Sequence, residues 1–169
     1  MAIEIRRGDM GDTENFIKLL YDVQAAMPHK EWFYLDPPEE IREMMADGTM
    51  QLWVAMDGDQ LAGAFDILIP GTQEFNYGHD LGFTEEELLR VINMDTAAVH
   101  PDYRGQGLQR RLMQEAEKEI AGIGQRILLC TVHPDNPYSL NNVLKQGYTI
   151  QKKLEKYGSV RYILRRDLP

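Results

Sequence analysis

The segment Val99–Met113, with the sequence VHPDYRGQGLQRRLM, connects a predicted strand to a predicted helix through a glycine turn. The preceding run, Val91–Val99, is short, mostly apolar and bounded by turn formers, which is typical of a buried strand. After the turn, apolar residues recur every fourth position from Leu108 to Ile120, as on one face of a helix. A strand, a tight turn and a helix therefore decide how the centre of the chain folds.

Two glycines, Gly105 and Gly107, lie in this turn. Glycine lets the backbone approach a ligand closely and adopt a positive φ. Amide groups that point outward at a helix N-terminus form a natural site for a phosphate or pyrophosphate. The turn lacks the Lys-Ser or Lys-Thr of a P-loop and the third glycine of a dinucleotide fingerprint. Taken alone, the motif favours a phosphate site and a purely structural turn about equally.

Two signatures in the chain resemble those of the GNAT superfamily of N-acetyltransferases. The segment Arg104–Gln109, RGQGLQ, resembles the family's Arg/Gln-x-x-Gly-x-Gly/Ala loop, although Gln109 stands where the family usually has Gly or Ala. Further on, Asn136 and then Lys145–Tyr148, KQGY, resemble an Asn that opens a helix ending in Lys-x-Gly-Phe. The two signatures occur in the family's order and cover about residues 91–150.

The resemblance implies a fold and a reaction. The fold is mixed α/β and GNAT-like, with six to seven strands and helices on both faces of the sheet. Strands that alternate with helices in the middle of the chain, flanked by hairpins, favour the same architecture. The implied reaction is an acetyl-CoA-dependent transfer of an acetyl group to a primary amine of a small molecule or peptide.

The resemblance also implies where coenzyme A binds. The glycine turn would hold the pyrophosphate, the end of the preceding strand would pair with the pantetheine arm, and Asn136 would hydrogen-bond the cofactor or cap its helix. Arg104 and Arg110 would add positive charge or stay solvated. The predicted cofactor-binding residues are Ala97, Ala98, Val99, Arg104, Gly105, Gln106, Gly107, Leu108, Gln109, Arg110 and Asn136.

The predicted general base is Asp95. Asn93 stands where some relatives carry a glutamate, and an amide cannot accept a proton. Asp95 follows two residues later, and the alternation of a strand would place it on the same face as Asn93, Ala97 and Val99. It would act directly or through a water molecule. A structural carboxylate paired with a loop amide is the alternative interpretation.

The predicted general acid is Tyr138. Many relatives carry a tyrosine further along the helix that Asn136 opens, but Val143 occupies that position here. Tyr138, two residues after Asn136, is the nearest phenol. Protonation of the leaving thiolate by water would make a dedicated acid unnecessary.

Two segments are candidates for recognition of the acceptor. In a GNAT-like fold the region between the first two helices walls the acceptor site, and here it contains the aromatic cluster Trp32–Leu35. These aromatics either contact substrate or cap the core. The long polar stretch Pro70–Arg90 is the second candidate, because long ordered loops in compact domains are often functional.

Composition limits the classes of partner. The 169 residues are long enough for one substantial core, so residues 1–169 are predicted to form a single domain. The net charge of −9 disfavours nucleic-acid binding, which needs a basic face, and is compatible with a cationic amine. No apolar run approaches the length of a membrane span. A homodimer is compatible with the sequence.

The cysteine and histidine residues indicate a cellular location and argue against a metal site. Cys130 is the single cysteine and lies in an apolar run, which predicts a buried strand residue and a reducing, cytoplasmic location. The four histidines show no paired spacing, so no metal site is expected. The first seven residues, MAIEIRR, lack the apolar core of a signal peptide, so export is not indicated.

Two other functions remain open at this point. A non-catalytic acyl-CoA-binding or regulatory domain on the same fold would explain the missing tyrosine and the asparagine at the usual glutamate position. A nucleotide-binding protein of another class is the weaker alternative.

Overall fold

Residues 2–169 are described by a computed structural model, and within this range one mixed sheet of seven strands forms the centre of the molecule. Its strand order is β1-β2-β3-β4-β5-β7-β6, with β4 and β5 parallel and the other neighbours antiparallel. The strands are β1 Glu4–Arg7, β2 Met50–Asp57, β3 Gln60–Leu68, β4 Val91–Val99, β5 Ile127–Val132, β6 Thr149–Lys156 and β7 Ser159–Asp167.

Helices cover both faces of this sheet, each through an apolar stripe. They are α1 Thr13–Ala26, α2 Pro38–Asp47, α3 Glu85–Leu88, α4 Leu108–Ile123 and α5 Pro137–Lys145. Residues of α1 and α2 pack on a cluster that contains Leu52 and Val54, whereas α4 and α5 pack on the opposite cluster with Ile67 and Ile92. The predicted mixed α/β fold with helices on both faces is confirmed, and the sheet has seven strands.

The sheet opens at its centre because β4 and β5 pair over only part of their length. Residues 91–93 of β4 pair with residues 127–129 of β5, and the pairing ends at Asn93 and Leu129. Beyond Asn93, β4 continues to Val99 hydrogen-bonded to β3 alone. The two strands therefore diverge and leave a cleft with an unpaired backbone edge on its β4 side.

A β-bulge interrupts β4 at Asp95. In the antiparallel pairing of β3 with β4, Asp66 is opposite Thr96, while the next residue, Ile67, is opposite Met94. Asp95 is therefore the extra residue of the bulge. Such an insertion bends the strand and changes which way the following side chains point.

The bulge changes the side-chain alternation expected for β4. Asp95 still lies on the same side as Asn93, since both contact Tyr77. Ala97 and Val99, in contrast, pack against the cluster beneath α4. The expectation that these four residues share one face therefore holds only for Asn93 and Asp95.

Local signals elsewhere agree with the structure. Thr84 and Glu87 form a capping box at the start of α3. Cys130 is buried, as predicted. Among the helices of residues 2–169, none combines the length and apolar character needed to cross a membrane.

Candidate active site

A cavity of about 1050 Å³ occupies the cleft between the diverging strands. One end is formed by the start of α4 and by α5, which includes Asn142. The other end is formed by residues 27–36, by Tyr77 and by Tyr157. Asp95 also lines the cavity and contacts Tyr77 of this second, aromatic end, so a ligand that extends from the α4 end and one at the aromatic end could meet beside its carboxyl group.

The glycine turn leaves open space at the start of α4. Gly105 has φ +81° and Gly107 has φ +69°, and a Cβ atom built on either residue would meet no heavy atom within 4 Å. No side chain caps α4 at Gly107. The first amide groups of the helix are therefore free to bind an anion, which is the geometry that a pyrophosphate group requires.

Asn136 caps its helix, which is one of the two roles predicted for it, and its contact with the cofactor stays a prediction. Its Oδ1 accepts a hydrogen bond of 3.3 Å from the backbone N–H of Ser139, which caps α5. Its side chain also lines the cavity, and its Nδ2 group has no hydrogen-bond partner among residues 2–169. The amide can therefore cap the helix and still donate to a ligand.

Most of the predicted cofactor-binding residues lie together along this end of the cavity. Those that line it are Ala97, Val99, Arg104, Gly105, Gly107, Leu108, Gln109, Arg110 and Asn136. Ala98 and Gln106 do not, because the side chain of Ala98 packs on the opposite face of the sheet and Gln106 is exposed at the tip of the turn. Only their backbone groups could then take part, and their role stays a prediction.

Hydrogen bonds hold the carboxyl group of Asp95. Its Oδ1 accepts from Tyr77 Oη at 3.4 Å, and its Oδ2 accepts from Thr96 Oγ1 at 3.3 Å. Tyr157 Oη donates to Tyr77 Oη at 3.4 Å, which extends the chain of hydroxyl groups. Burial raises the pKa of Asp95 above its ordinary value, and these donors act in the opposite direction. The result is a partly exposed carboxyl with an increased affinity for a proton.

Asn93, at the position of the family's glutamate, is a structural anchor. Its side chain is fully buried; Oδ1 accepts from the N–H of Tyr77 at 3.3 Å, and Nδ2 donates to the carbonyl of Phe75 at 2.9 Å. These bonds fix the segment 70–90 against β4. As a result, Phe75 and Tyr77 become part of the cavity wall, which is the placement expected if this segment contacts the acceptor.

The aromatic segment between α1 and α2 is also held over the cavity. Arg161 of β7 donates to the carbonyl of Trp32 at 3.0 Å, and the ring of Tyr34 stacks on Tyr157 with centroids 4.0 Å apart. Phe33 lines the cavity and also packs on the cluster beneath α1, as Leu35 does. The structure supports the interpretation of this cluster as a cap on the core, and the cluster also lines the cavity; its contact with a substrate stays a prediction.

A second carboxyl group, Asp36, lies at the aromatic end of the cavity. Burial raises its pKa to about 6, and the charges of Asp95 and Glu40 act in the same direction. Within residues 2–169 no Lys, Arg or His side chain forms an ion pair with Asp36, Asp66 or Asp95. These carboxyl groups therefore lack an ion-pair partner within that range, and the guanidinium of Arg161, which lines the same end of the cavity, binds backbone carbonyls instead.

The Asp36→Asn variant is expected to be more stable than the wild type at neutral and alkaline pH. Because folding raises the pKa of Asp36 to about 6, the charged form is penalised in the folded state. That penalty is complete above pH 6 or so and disappears as the pH falls toward about 4. Thermal melting should show a gain of about 2 °C or more at pH ~8 and none at pH ~4. An equal gain at both values would contradict the assignment.

The structure does not orient the predicted acid. Tyr138 is 85% exposed on the first turn of α5, and its hydroxyl has no hydrogen-bond partner in the part of the chain that is described. Val143, at the position where many relatives carry a tyrosine, lies in α5 with its side chain buried. The phenols in the hydrogen-bonded network of Asp95 are instead Tyr77 and Tyr157. Tyr138 stays a prediction for the role of acid.

The sequence analysis did not identify four residues of this site. They are Asp36, Asp66, Tyr157 and Arg161. One of them carried a local signal, since Asp66 is a charged residue in the middle of the apolar run 61–69 and charged residues are rarely buried without a reason.

The family to which the chain belongs follows from comparison of its sequence with family models. Residues 17–148 match the model of the acetyltransferase (GNAT) family. The chain belongs to this acetyltransferase family. Membership confirms the predicted family and the predicted class of enzyme, an N-acetyltransferase, and it does not agree with a nucleotide-binding protein of another class.

Solved structures share the fold of this acetyltransferase over nearly its whole length. The yncA protein of Salmonella typhimurium, a putative acetyltransferase solved with acetyl-CoA, has a TM-score of 0.75 at 16% identity, covering 100% of this chain and 95% of that one. NAA60 of Arabidopsis thaliana, solved with acetyl-CoA, has a TM-score of 0.76 at 18% identity, covering 99% of both chains. A ribosomal-protein-alanine N-acetyltransferase of Brucella melitensis has a TM-score of 0.73 at 18% identity, covering 98% of this chain and 99% of that one. No curated protein matches significantly.

Proposed function

We propose that this acetyltransferase transfers an acetyl group from acetyl-CoA to the primary amine of a small molecule or peptide. The observation that carries the proposal is a single cavity that joins an uncapped helix N-terminus to a partly exposed carboxyl group with a raised pKa. A diphosphate carrier and an amine require these two features, respectively.

The α4 end of the cavity holds the cofactor in this proposal. The amide groups after Gly105 and Gly107 bind the pyrophosphate, helped by the positive end of the helix dipole. The unpaired edge of β4 at Ala97–Val99 pairs with the pantetheine arm, and Asn136 donates its free amide. Bound there, acetyl-CoA would supply the acetyl thioester that the amine attacks. The structures of yncA and NAA60 with acetyl-CoA support this choice of donor.

Asp95 is the proposed general base. An amine enters as an ammonium ion and must lose a proton before its lone pair can attack a carbonyl carbon. Because the pKa of Asp95 is raised, it is closer to the pKa of the amine. Hydrogen bonds from Tyr77 and Thr96 hold the carboxyl group in place. The Tyr77 hydroxyl stays protonated, because burial raises its pKa well above the ordinary value, so it acts as a donor.

The acceptor in this proposal is a cation when it binds. Asp36 and Asp95 face the aromatic end without a basic partner within residues 2–169. Glu40, Glu43 and Asp47 of α2 line the same cavity, and the aromatic rings beside them attract an ammonium group through their faces.

We also propose a cytoplasmic location and one catalytic domain over residues 1–169; Met1 lies outside the described residues. A homodimer stays a prediction.

Calorimetry and a thiol-release assay test this proposal. We expect acetyl-CoA to bind the purified protein, and free thiol to appear only when an amine is added from a panel of polyamines, amino acids, aminoglycosides and peptides. Neutral N-acylated forms of the same compounds are the control. No binding of acetyl-CoA would contradict the proposal. Tight binding without thiol release across the panel would favour the non-catalytic alternative, for which the absence of a phenol at Val143 already speaks.

A further inference from the structure

Asp66 is a buried acid without an evident function. It lies in β3 and is 1% exposed, and neither of its carboxyl oxygens has a hydrogen-bond partner of normal geometry within residues 2–169. Leaving such a group unpaired in the interior costs free energy, and native structures rarely keep one without a reason. Its neighbours on the same face of β3, Ala64 and Leu68, are ordinary core residues.

The β-bulge explains why Asp66 is in this place. Asp95 is the inserted residue opposite the junction of Asp66 and Ile67, and the residue after it, Thr96, lies directly opposite Asp66, so the bulge makes the two carboxyl groups neighbours on adjacent strands. A neighbouring negative charge raises the pKa of a buried carboxyl group, so this pair holds on to one proton more strongly than an isolated aspartate would. The pair consists of one group that lines the cavity, Asp95, and one group behind it, Asp66.

We propose that Asp66 is a positioning residue that acts through Asp95: its protonated carboxyl donates a hydrogen bond to the Asp95 carboxylate and holds that group toward the amine. This inference rests on the proposed role of Asp95 as the base. When the ammonium loses its proton, an N–H bond breaks and an O–H bond forms on Asp95. Asp66 keeps its own proton throughout, so no other reactant is needed.

The surroundings determine which of the two carboxyls holds the proton. Burial, followed by the charge of Asp95, raises the pKa of Asp66 well above its ordinary value, and the amide of Thr96 only partly opposes this. The hydrogen bond from Asp66 acts in the other direction on Asp95 and lowers the pKa of that group. Asp66 therefore stays protonated while Asp95 ionises toward the cavity.

No basic side chain in the described residues takes over the role of Asp66. The groups that face the pair are the carboxyl of Asp36, the phenols of Tyr77 and Tyr157, and the hydroxyl of Thr96. The nearby cations are engaged elsewhere: Lys156 pairs with Asp80 at 2.9 Å, and Arg161 binds the backbone carbonyls of residues 31 and 32. The carboxyl of Asp66 is thus the buried donor available to Asp95 from β3.

Two substitutions at Asp66 separate this role from simple packing. Asp66→Asn keeps the shape and supplies a permanent donor, so kcat should stay within about threefold of wild type, with the acidic limb of its pH profile in place. Asp66→Ala removes the donor, so kcat should fall about tenfold or more, with affinity for acetyl-CoA unchanged. Without that donor the Asp95 carboxylate is less stable, and the acidic limb should move up by about one pH unit.

The control is Thr13→Val, which removes another buried oxygen that has no partner, at the start of α1 and away from the cavity. It should alter thermal stability without moving the pH profile. Melting curves show that each variant is folded. Equal losses in Asp66→Asn and Asp66→Ala, or an unmoved acidic limb in folded Asp66→Ala, would overturn the inference. Wild-type kinetics in Asp95→Asn would instead remove the base itself, so the two failures are distinguishable.

Discussion

The Asp95→Asn variant is expected to turn over its amine about 10²–10⁴-fold more slowly than the wild type, the usual contribution of a general base. Asparagine has the same shape, and its carbonyl oxygen can still accept the hydrogen bond from Tyr77, which preserves the cavity. It cannot take a proton from an ammonium ion. Affinity for acetyl-CoA should stay at the wild-type value, because in our proposal the start of α4, and not Asp95, holds the cofactor.

Steady-state kinetics and calorimetry on the same preparation check this result. The matched control is Asp59→Asn, in the exposed turn between β2 and β3, which removes the same charge at a residue that does not line the cavity. The remaining activity of Asp95→Asn should also rise with pH, as hydroxide and the free amine replace the missing base. Wild-type kcat in this variant, or loss of acetyl-CoA binding together with kcat, would contradict the assignment of Asp95.

The Gly107→Val variant is expected to bind acetyl-CoA about 100-fold more weakly, the loss that follows if two hydrogen bonds to a charged group are broken at about 1.5 kcal/mol each. Gly107 has φ +69°, a conformation that a β-branched residue resists, and its Cα faces the open space at the start of α4. A side chain there would both fill that space and turn the first amides of the helix away from it.

The opposite end of α4 offers a matched control for this substitution. Gly124 has φ +100°, and a Cβ atom built on it would also meet nothing within 4 Å. Gly124→Val therefore introduces comparable backbone strain without touching the cavity. Both variants should melt at a lower temperature, but only Gly107→Val should lose affinity in calorimetry. Equal affinity in the two variants would refute the pyrophosphate site at this turn.

Local signals explain why the α4 end of the cavity could be predicted from the sequence. The glycines that open α4 and the asparagine that caps α5 each act within a few residues of their own position. The same holds for the strands, where turn formers and apolar runs mark the boundaries. Family resemblance then ordered these elements into one sheet, and the pairing of β4 with β5 follows that order.

The residues at and behind the aromatic end of the cavity could not be predicted in the same way, because they meet only after the sheet has formed. Asp36, Asp66, Asp95 and Tyr157 come from four distant parts of the chain. The bulge that makes Asp66 and Asp95 neighbours depends on how β3 and β4 pair. No sequence pattern within β4 predicts that bulge. Asp95, the proposed base, could therefore be singled out from β4 alone, whereas the carboxyl group behind it could not.

The divergence of β4 from β5 has a consequence for the life of the protein in the cell. Beyond Asn93, one side of β4 lacks a neighbouring strand in the described structure, and such a row of amides and carbonyls is costly in a protein interior until something bonds to it. In our proposal the pantetheine arm does so and acts as an eighth, exchangeable strand. Resistance to heat and to proteases should then increase with the concentration of the donor, so starvation for acetyl-CoA would shorten the enzyme's lifetime as well as its turnover.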